Sequence, residues 1–313
     1  MIPFEIPAQY VAKLATGELV RYGAILKSAG TGKIVAHLQE TGIAQQALSS
    51  LASPILAPVS LVSNAVNAGS GIYTAVQVSK IKAMVEALQS LQVTTLGLSL
   101  AGIGVSVAGF VYTRKRFNDL DEQLNQMAGL IETGFANQRH RELRAQISRT
   151  GGLVERARFA KDLSNPQREY REIAAMMADQ SAYFDGEALA LISQKEPIAS
   201  DQFWQLTHSL MLCNNVRIDC GLRGNELNHT VRTAETIAAS YQKLFDRLTP
   251  VSFNNLDPRR AMETIAVLRD ASDSAASKPY LIDFLRTRGI NGDEYLDVLE
   301  QDDRNPVLAL KTT

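Results

Sequence analysis

Val93-Thr94-Thr95-Leu96-Gly97-Leu98-Ser99-Leu100-Ala101-Gly102-Ile103-Gly104-Val105-Ser106-Val107-Ala108-Gly109-Phe110-Val111-Tyr112 runs for twenty residues without a charge, and one position later meets Arg114-Lys115-Arg116. Wound as an α-helix, such a run is about 30 Å long, the thickness of a bilayer's hydrocarbon core. A tyrosine closing an apolar run ahead of three cations suits a helix that passes from hydrocarbon into headgroups. We therefore expect Val93, Leu96, Leu98, Leu100, Ile103, Val105, Val107, Phe110 and Val111 to insert into a membrane. Tyr112, Arg114, Lys115 and Arg116 would hold its interface. Small residues stand four apart at Gly97/Ala101, Gly102/Ser106 and Gly104/Ala108, which gives faces on which another helix can approach closely.

Upstream, the chain avoids ionisable groups a second time. Residues 41–79 carry no charge; Lys80, Lys82 and Glu86 interrupt, and charge vanishes again from Ala87 to Thr113. In a chain that is 21% charged, two such gaps in tandem call for a cause. The first gap opens irregularly at Pro54 and Pro58. Val59, Val62, Val66, Tyr73 and Val76 then recur at helical spacing, while Ser60, Asn64, Asn67, Gly71 and Thr74 recur on another side. An amphipathic helix without charge suits packing on a partner, so Ser60, Asn64, Asn67 and Thr74 are expected to face a lumen or a neighbouring helix.

Outward from these segments the chain divides into four zones: 1–44, an N-terminal β-hairpin segment; 45–116, the uncharged membrane-interacting hairpin; 117–198, long amphipathic helices; and 199–313, a C-terminal helical region with an acidic tail. In the first zone Glu18–Lys27 and Lys33–Glu40 read as two strands around a glycine-rich turn, Ser28-Ala29-Gly30-Thr31-Gly32. In the third, Leu120, Leu124, Met127, Ile131 and Phe135 continue a 3–4 spacing that suits a coiled-coil-like helix. Arg139, His140, Arg141, Arg144, Arg149, Arg156 and Arg158 then read chiefly as a solvated basic face, Gly151-Gly152 as a break, and Ser164-Asn165-Pro166 as a capped helix start.

The fourth zone predicts a helix capped by Asp201 that carries Phe203, Trp204, Leu206, Leu210, Met211, Cys213 and Val216. A second, Ala234–Leu248, presents Ile237, Tyr241, Leu244 and Phe245. Short helices at Arg259–Asp270 and Pro279–Arg288 and a loose end after Asn305-Pro306 complete the reading. The expected fold class is thus mainly α: an elongated helical bundle with an apolar helical hairpin and a small N-terminal β-hairpin.

Composition limits the functions available. A net charge of −1 provides no global field for nucleic acid. Cys213 and Cys220 lie seven apart on one helical face, about 10 Å along the axis, and so read as buried thiols. Met1–Pro7 lacks a basic and then apolar secretory leader, which suggests cytoplasmic synthesis.

Motifs for catalysis are missing. Gly30-Thr31-Gly32-Lys33 resembles the end of a phosphate loop, but Lys27 stands where its first glycine belongs and Ile34 where Ser or Thr is required. Gly69-Ser70-Gly71 lacks the spacing of a nucleophile elbow. His37, His140, His208 and His229 form no zinc-binding pair. The expectation is no enzyme, no catalytic residue, no metal and no cofactor.

Amphipathic helices flanking a moderately apolar hairpin, over roughly residues 45–135, resemble in arrangement the α-helical pore-forming toxins and helical membrane effectors. That likeness implies a homo-oligomer, made in the cytoplasm and conditionally associated with the inner membrane, which perturbs or permeabilises the bilayer. Its partners would be the lipid membrane, further copies of itself and an unknown regulatory protein. The rivals are a membrane-anchored scaffold without pore activity, and a soluble helical oligomer that buries the hairpin between subunits.

Overall fold

The computed structural model describes residues 6–40, 138–194, 196–254, 256–301 and 307–312. These form a mainly helical body with a small antiparallel sheet. The first elements are helix α1 (Ala8–Ala15) and strands β1 (Leu19–Tyr22), β2 (Ile25–Ser28) and β3 (Ile34–Glu40). They are followed by α2 (Gln138–Phe159), α3 (Pro166–Ser193), α4 (Ser200–Arg223), α5 (Leu227–Phe245), α6 (Pro258–Arg288), α7 (Gly292–Gln301) and the closing strand β4 (Val307–Lys311).

At the centre stands α4, buried nearly all round, with Phe203, Trp204, Leu206, Leu210, Met211, Leu212, Val216 and Leu222 in the core and polar Asn214, Asn215, Asp219 and Arg223 buried beside them. A helix of that kind must be enclosed by others. Here α3 packs along it, α2 and α5 contact it, and α6 pairs with α5. Cys213 and Cys220 are buried free thiols within it. The face predicted for α5 is also buried, at Ile237, Tyr241, Leu244 and Phe245. Asn165 caps α3 by accepting from the Arg168 N–H, with Pro166 in the first turn, where its missing N–H costs nothing.

Several sequence expectations are corrected. Glu18–Lys27 is not one strand: it turns on itself at Gly23-Ala24, where Gly23 adopts φ +52, so Tyr22 pairs with Ile25. Glycine takes that backbone without penalty, and two residues suffice for the turn. Nor is the C-terminal end loose, because β4 pairs antiparallel with β3, from Glu40↔Val307 to Ala36↔Lys311, and completes a sheet of order β1-β2-β3-β4.

Gly151-Gly152 does not break α2, which runs through them. Two glycines cost a helix about 1 kcal/mol each, and burial of Ile147, Leu153, Val154 and Ala157 along the same helix offsets that. Likewise α6 continues through Pro279. The proline removes one amide donor, while Ala275, Leu281, Ile282 and Leu285 are buried on both sides of it. Finally, α4 begins at Ser200, and Ala199 rather than Asp201 occupies the cap position without a side-chain hydrogen bond.

Candidate functional site

Every residue assigned above to the membrane, its interface, the helix-packing faces or a lumen, from Ser60 to Arg116, lies outside the described residues. Among the described residues no helix is long and apolar enough to cross a membrane, and no cluster of His, Cys, Asp or Glu could hold a metal ion. Within the described body, two buried polar centres and an open groove stand out.

The first centre joins five helices through α4. Asn214 accepts from the Ser181 hydroxyl of α3 at 2.7 Å and donates to the Tyr241 hydroxyl of α5 at 3.2 Å. One position on, Asn215 accepts from the Lys278 ammonium of α6 at 2.7 Å. From α2, Thr150 Oγ1 stands 3.8 Å from Cys213 Sγ. Burial raises the Cys213 thiol to about 12, against small downward pulls from Thr150 and Arg217, so it is a neutral thiol and not a nucleophile. Burial also raises the Tyr241 phenol above its ordinary value.

The second centre surrounds Arg223 at the end of α4. Its guanidinium meets Asp219 at 3.2 Å, Asp293 at 3.1 Å and Glu300 at 2.5 Å, with Asp297 at 3.8 Å. Lys161 closes on Asp297 at 2.9 Å. Burial opposes the charge on Arg223, but Asp219 and Glu300 together outweigh it and hold its pKa above the ordinary value. Burial pushes Asp219 up to about 6 despite its arginine, and the charges of the nearby carboxylates Glu300 and Asp293 add to the rise. The helix that supplies them, α7, reaches this place through Gly292, where a Cβ would lie 2.3 Å from the Leu222 carbonyl oxygen.

The groove runs between α5 and α6 and has a volume of about 780 Å³. One end is built by the sheet. Gly23 presses on α6 so closely that a Cβ there would stand 2.3 Å from the Asp273 carbonyl oxygen. Next to it, the Ala24 N–H donates to the Ser277 hydroxyl at 3.1 Å, and Ser277 in turn donates to the Ser274 carbonyl at 2.7 Å. This contact brings Tyr22 beside Tyr280 of α6, and the Lys27 ammonium lies 4.9 Å from the centre of each ring. Asp273 faces Asp246, the residue that caps the end of α5; burial first, then the charges of Asp270 and Asp246, raise its pKa against the pull of Arg21.

None of these groove residues was singled out from sequence. Splitting α6 at Pro279 hid the fact that Asp273, Tyr280 and Asp283 belong to one helix. The available signal was the apolar spacing Leu268, Ala271, Ala275, Ile282 and Leu285, which crosses the proline at helical intervals. No protein-family model, curated protein or solved structure matches the chain.

Proposed function

We propose that this chain associates with a membrane through residues 45–116, oligomerises there as an elongated helical assembly, and perturbs or permeabilises the bilayer in the manner of an effector or toxin. One observation carries this reading: two uncharged stretches, 41–79 and 87–113, the second ending on Tyr112 and Arg114-Lys115-Arg116. An unpaired charge in hydrocarbon is costly, so a segment that resides there excludes ionisable groups over the length of the span. The described helical body would be the water-exposed part, with synthesis in the cytoplasm and the inner membrane as target.

Purified full-length chain should float with liposomes and release an encapsulated dye from them, and should form oligomers under the same conditions. Flotation without dye release would favour the anchored scaffold. Complete recovery in the soluble fraction, both with liposomes and after carbonate extraction of cell membranes, would end the membrane reading in favour of the soluble oligomer.

A further inference from the structure

Helix α6 holds the sheet along one face, at positions 277, 280, 284 and 288, which helical spacing brings into a single row. Ser277 accepts from the Ala24 N–H in the β1–β2 turn at 3.1 Å, and the Tyr280 ring takes the Lys27 ammonium of β2 at 4.9 Å. Phe284 lies against His37 of β3, their ring centres 5.4 Å apart. Arg288 donates to the Thr312 carbonyl, just past β4, at 3.3 Å. Each grip therefore reaches a different part of the sheet.

His37 is the titratable weak point of this row. It pairs across the sheet with Ile25 of β2 and Leu310 of β4, and it is 1% exposed. Its Nδ1 has no hydrogen-bond partner among the described residues. An imidazole so placed fits as a neutral ring, because a buried charge without a partner is costly. The charged groups at the adjoining grips, Lys27 and Arg288, are cations and offer no counter-charge. The Arg288 guanidinium already lies 5.6 Å from the centre of the same Phe284 ring. On β4, Lys311 follows Leu310; on α6, Asp283 beside Phe284 is held by Arg286, and Tyr280 is the remaining titratable group of the row. On β3 itself the other titratable group is Glu40, the last residue of the strand. Burial lowers the His37 pKa to about 4. A group whose folded value lies below its ordinary 6.5 stabilises the closed sheet above pH 6.5, and that contribution is lost as pH falls through 4.

We propose that the sheet is a proton-operated latch on α6: protonation of His37 separates β3 and β4 from the Phe284–Arg288 end of the helix while the helical body stays folded. β3 ends at Glu40, and the uncharged stretch 41–79 follows at once. For its use the latch rests on the membrane reading, in which acid frees the strand that leads into that stretch; the opening itself does not depend on it.

The test is hydrogen exchange of the full chain between pH 7.5 and 4.5, each rate divided by that of the unstructured peptide at the same pH. Protection of residues 34–40 and 307–312 should fall on the order of a hundredfold, as linkage to a group displaced from 6.5 to about 4 requires. His37→Gln should abolish that fall, whereas His208→Gln, at a second buried histidine in α4, should leave it in place. Imidazole NMR of the parent is an independent reading, in which His37 should titrate below 6.5 and in step with the loss of protection. Persistence of the fall in His37→Gln, its absence in the parent, or an imidazole that titrates near 6.5 with the sheet still protected would each overturn the latch. Liposome flotation at the same two pH values keeps the two readings apart: acid-dependent opening without flotation leaves the latch standing and counts against the membrane alone.

Discussion

The Lys278 ammonium of α6 lies 2.7 Å from Asn215 Oδ1 of α4, with Lys278 only 6% and Asn215 only 7% exposed. A neutral amide therefore receives a cation in the interior of a helical body, and the two ends of the contact differ in what their removal leaves behind. Asn215→Ala takes an acceptor from a buried ammonium and should cost about 2–3 kcal/mol, the range for a lost hydrogen bond to a charged group. Lys278→Met removes the charge itself while keeping most of the volume, and should cost clearly less. Urea unfolding of the two variants measures the difference; equal losses would show that the ammonium is stabilised mainly by other groups.

Arg223 presents the opposite balance, a buried guanidinium among four carboxylates, one of which, Asp297, it shares with Lys161. With Asp219 at 1% exposure and held by that guanidinium, Arg223→Met strands a buried carboxylate and loosens α7 from the end of α4. The expected loss is about 3–5 kcal/mol, typical of breaking a buried ion pair from one side. Hydrogen exchange should localise it, with amides of 292–301 losing protection before those in the middle of α4. A uniform loss across both helices would contradict the assigned role.

Two classes of buried group give opposite pH dependence. Burial holds His37 and His208 down to about 4, below their ordinary 6.5. Both are neutral in the fold, so their contribution to stability is present above pH 6.5 and is lost as pH falls from there through 4. Asp219 has its folded pKa raised to about 6 above its ordinary 3.8, so its contribution is present below 3.8 and lost as pH rises through 6. Acidification from pH 7 to 5 thus sets a gain at Asp219 against the onset of loss at the histidines. His208→Gln should flatten the acid side of a stability-versus-pH curve, and Asp219→Asn should steepen it. Denaturant midpoints of the two variants between pH 4 and 7 check the signs; the same curve for both would overturn the assignment.

How much of this was legible in the sequence depends on how local each cause is. The faces of α4 and α5 and the Asn165-Pro166 start of α3 were readable because apolar spacing and capping act within a few residues. Glycine at 151 and 152 and proline at 279 misled for a related reason. Their local cost is real, but it is overridden by burial of Val154 and Leu281 in helices that pack on other helices, α2 on α3 and α4, and α6 on α5. The β3–β4 pairing joins residues some 270 positions apart, and no nearby pattern announces it. The groove carboxylates were unremarkable singly, since acidic residues on helices usually face water. They come together only because α5 and α6 pack on each other.

The clamp between the sheet and α6 rests on Gly23. Any side chain there meets two penalties: positive φ, worth about 1 kcal/mol or more for a residue with a Cβ, and the Asp273 carbonyl oxygen at 2.3 Å. Gly23→Ala should therefore lift the β1–β2 turn off α6 and break the Ala24–Ser277 hydrogen bond. Exchange should rise first in 19–28 while Trp204, the chain's single tryptophan and 2% exposed, keeps its buried emission. The groove would lose its Tyr22 end in the same step. Loss of the tryptophan signal in parallel would mean that the sheet and the helical body unfold as one unit.

That tryptophan also makes the membrane proposal testable without ambiguity about folding. Gly104 sits near the middle of the run 93–112, and Gly104→Glu places a carboxylate where the bilayer would be driest. A charge at that depth costs about 3 kcal/mol, enough to shift a marginal insertion equilibrium by two orders of magnitude. Dye release should fall accordingly while the buried emission of Trp204 in α4 stays as in the parent. Placing the same glutamate at Thr113, beside Arg114, should cost little, because there the side chain can reach the headgroups. Full dye release from Gly104→Glu, with the tryptophan still buried, would mean that this stretch does not cross hydrocarbon, and that its freedom from charge is owed to a protein neighbour.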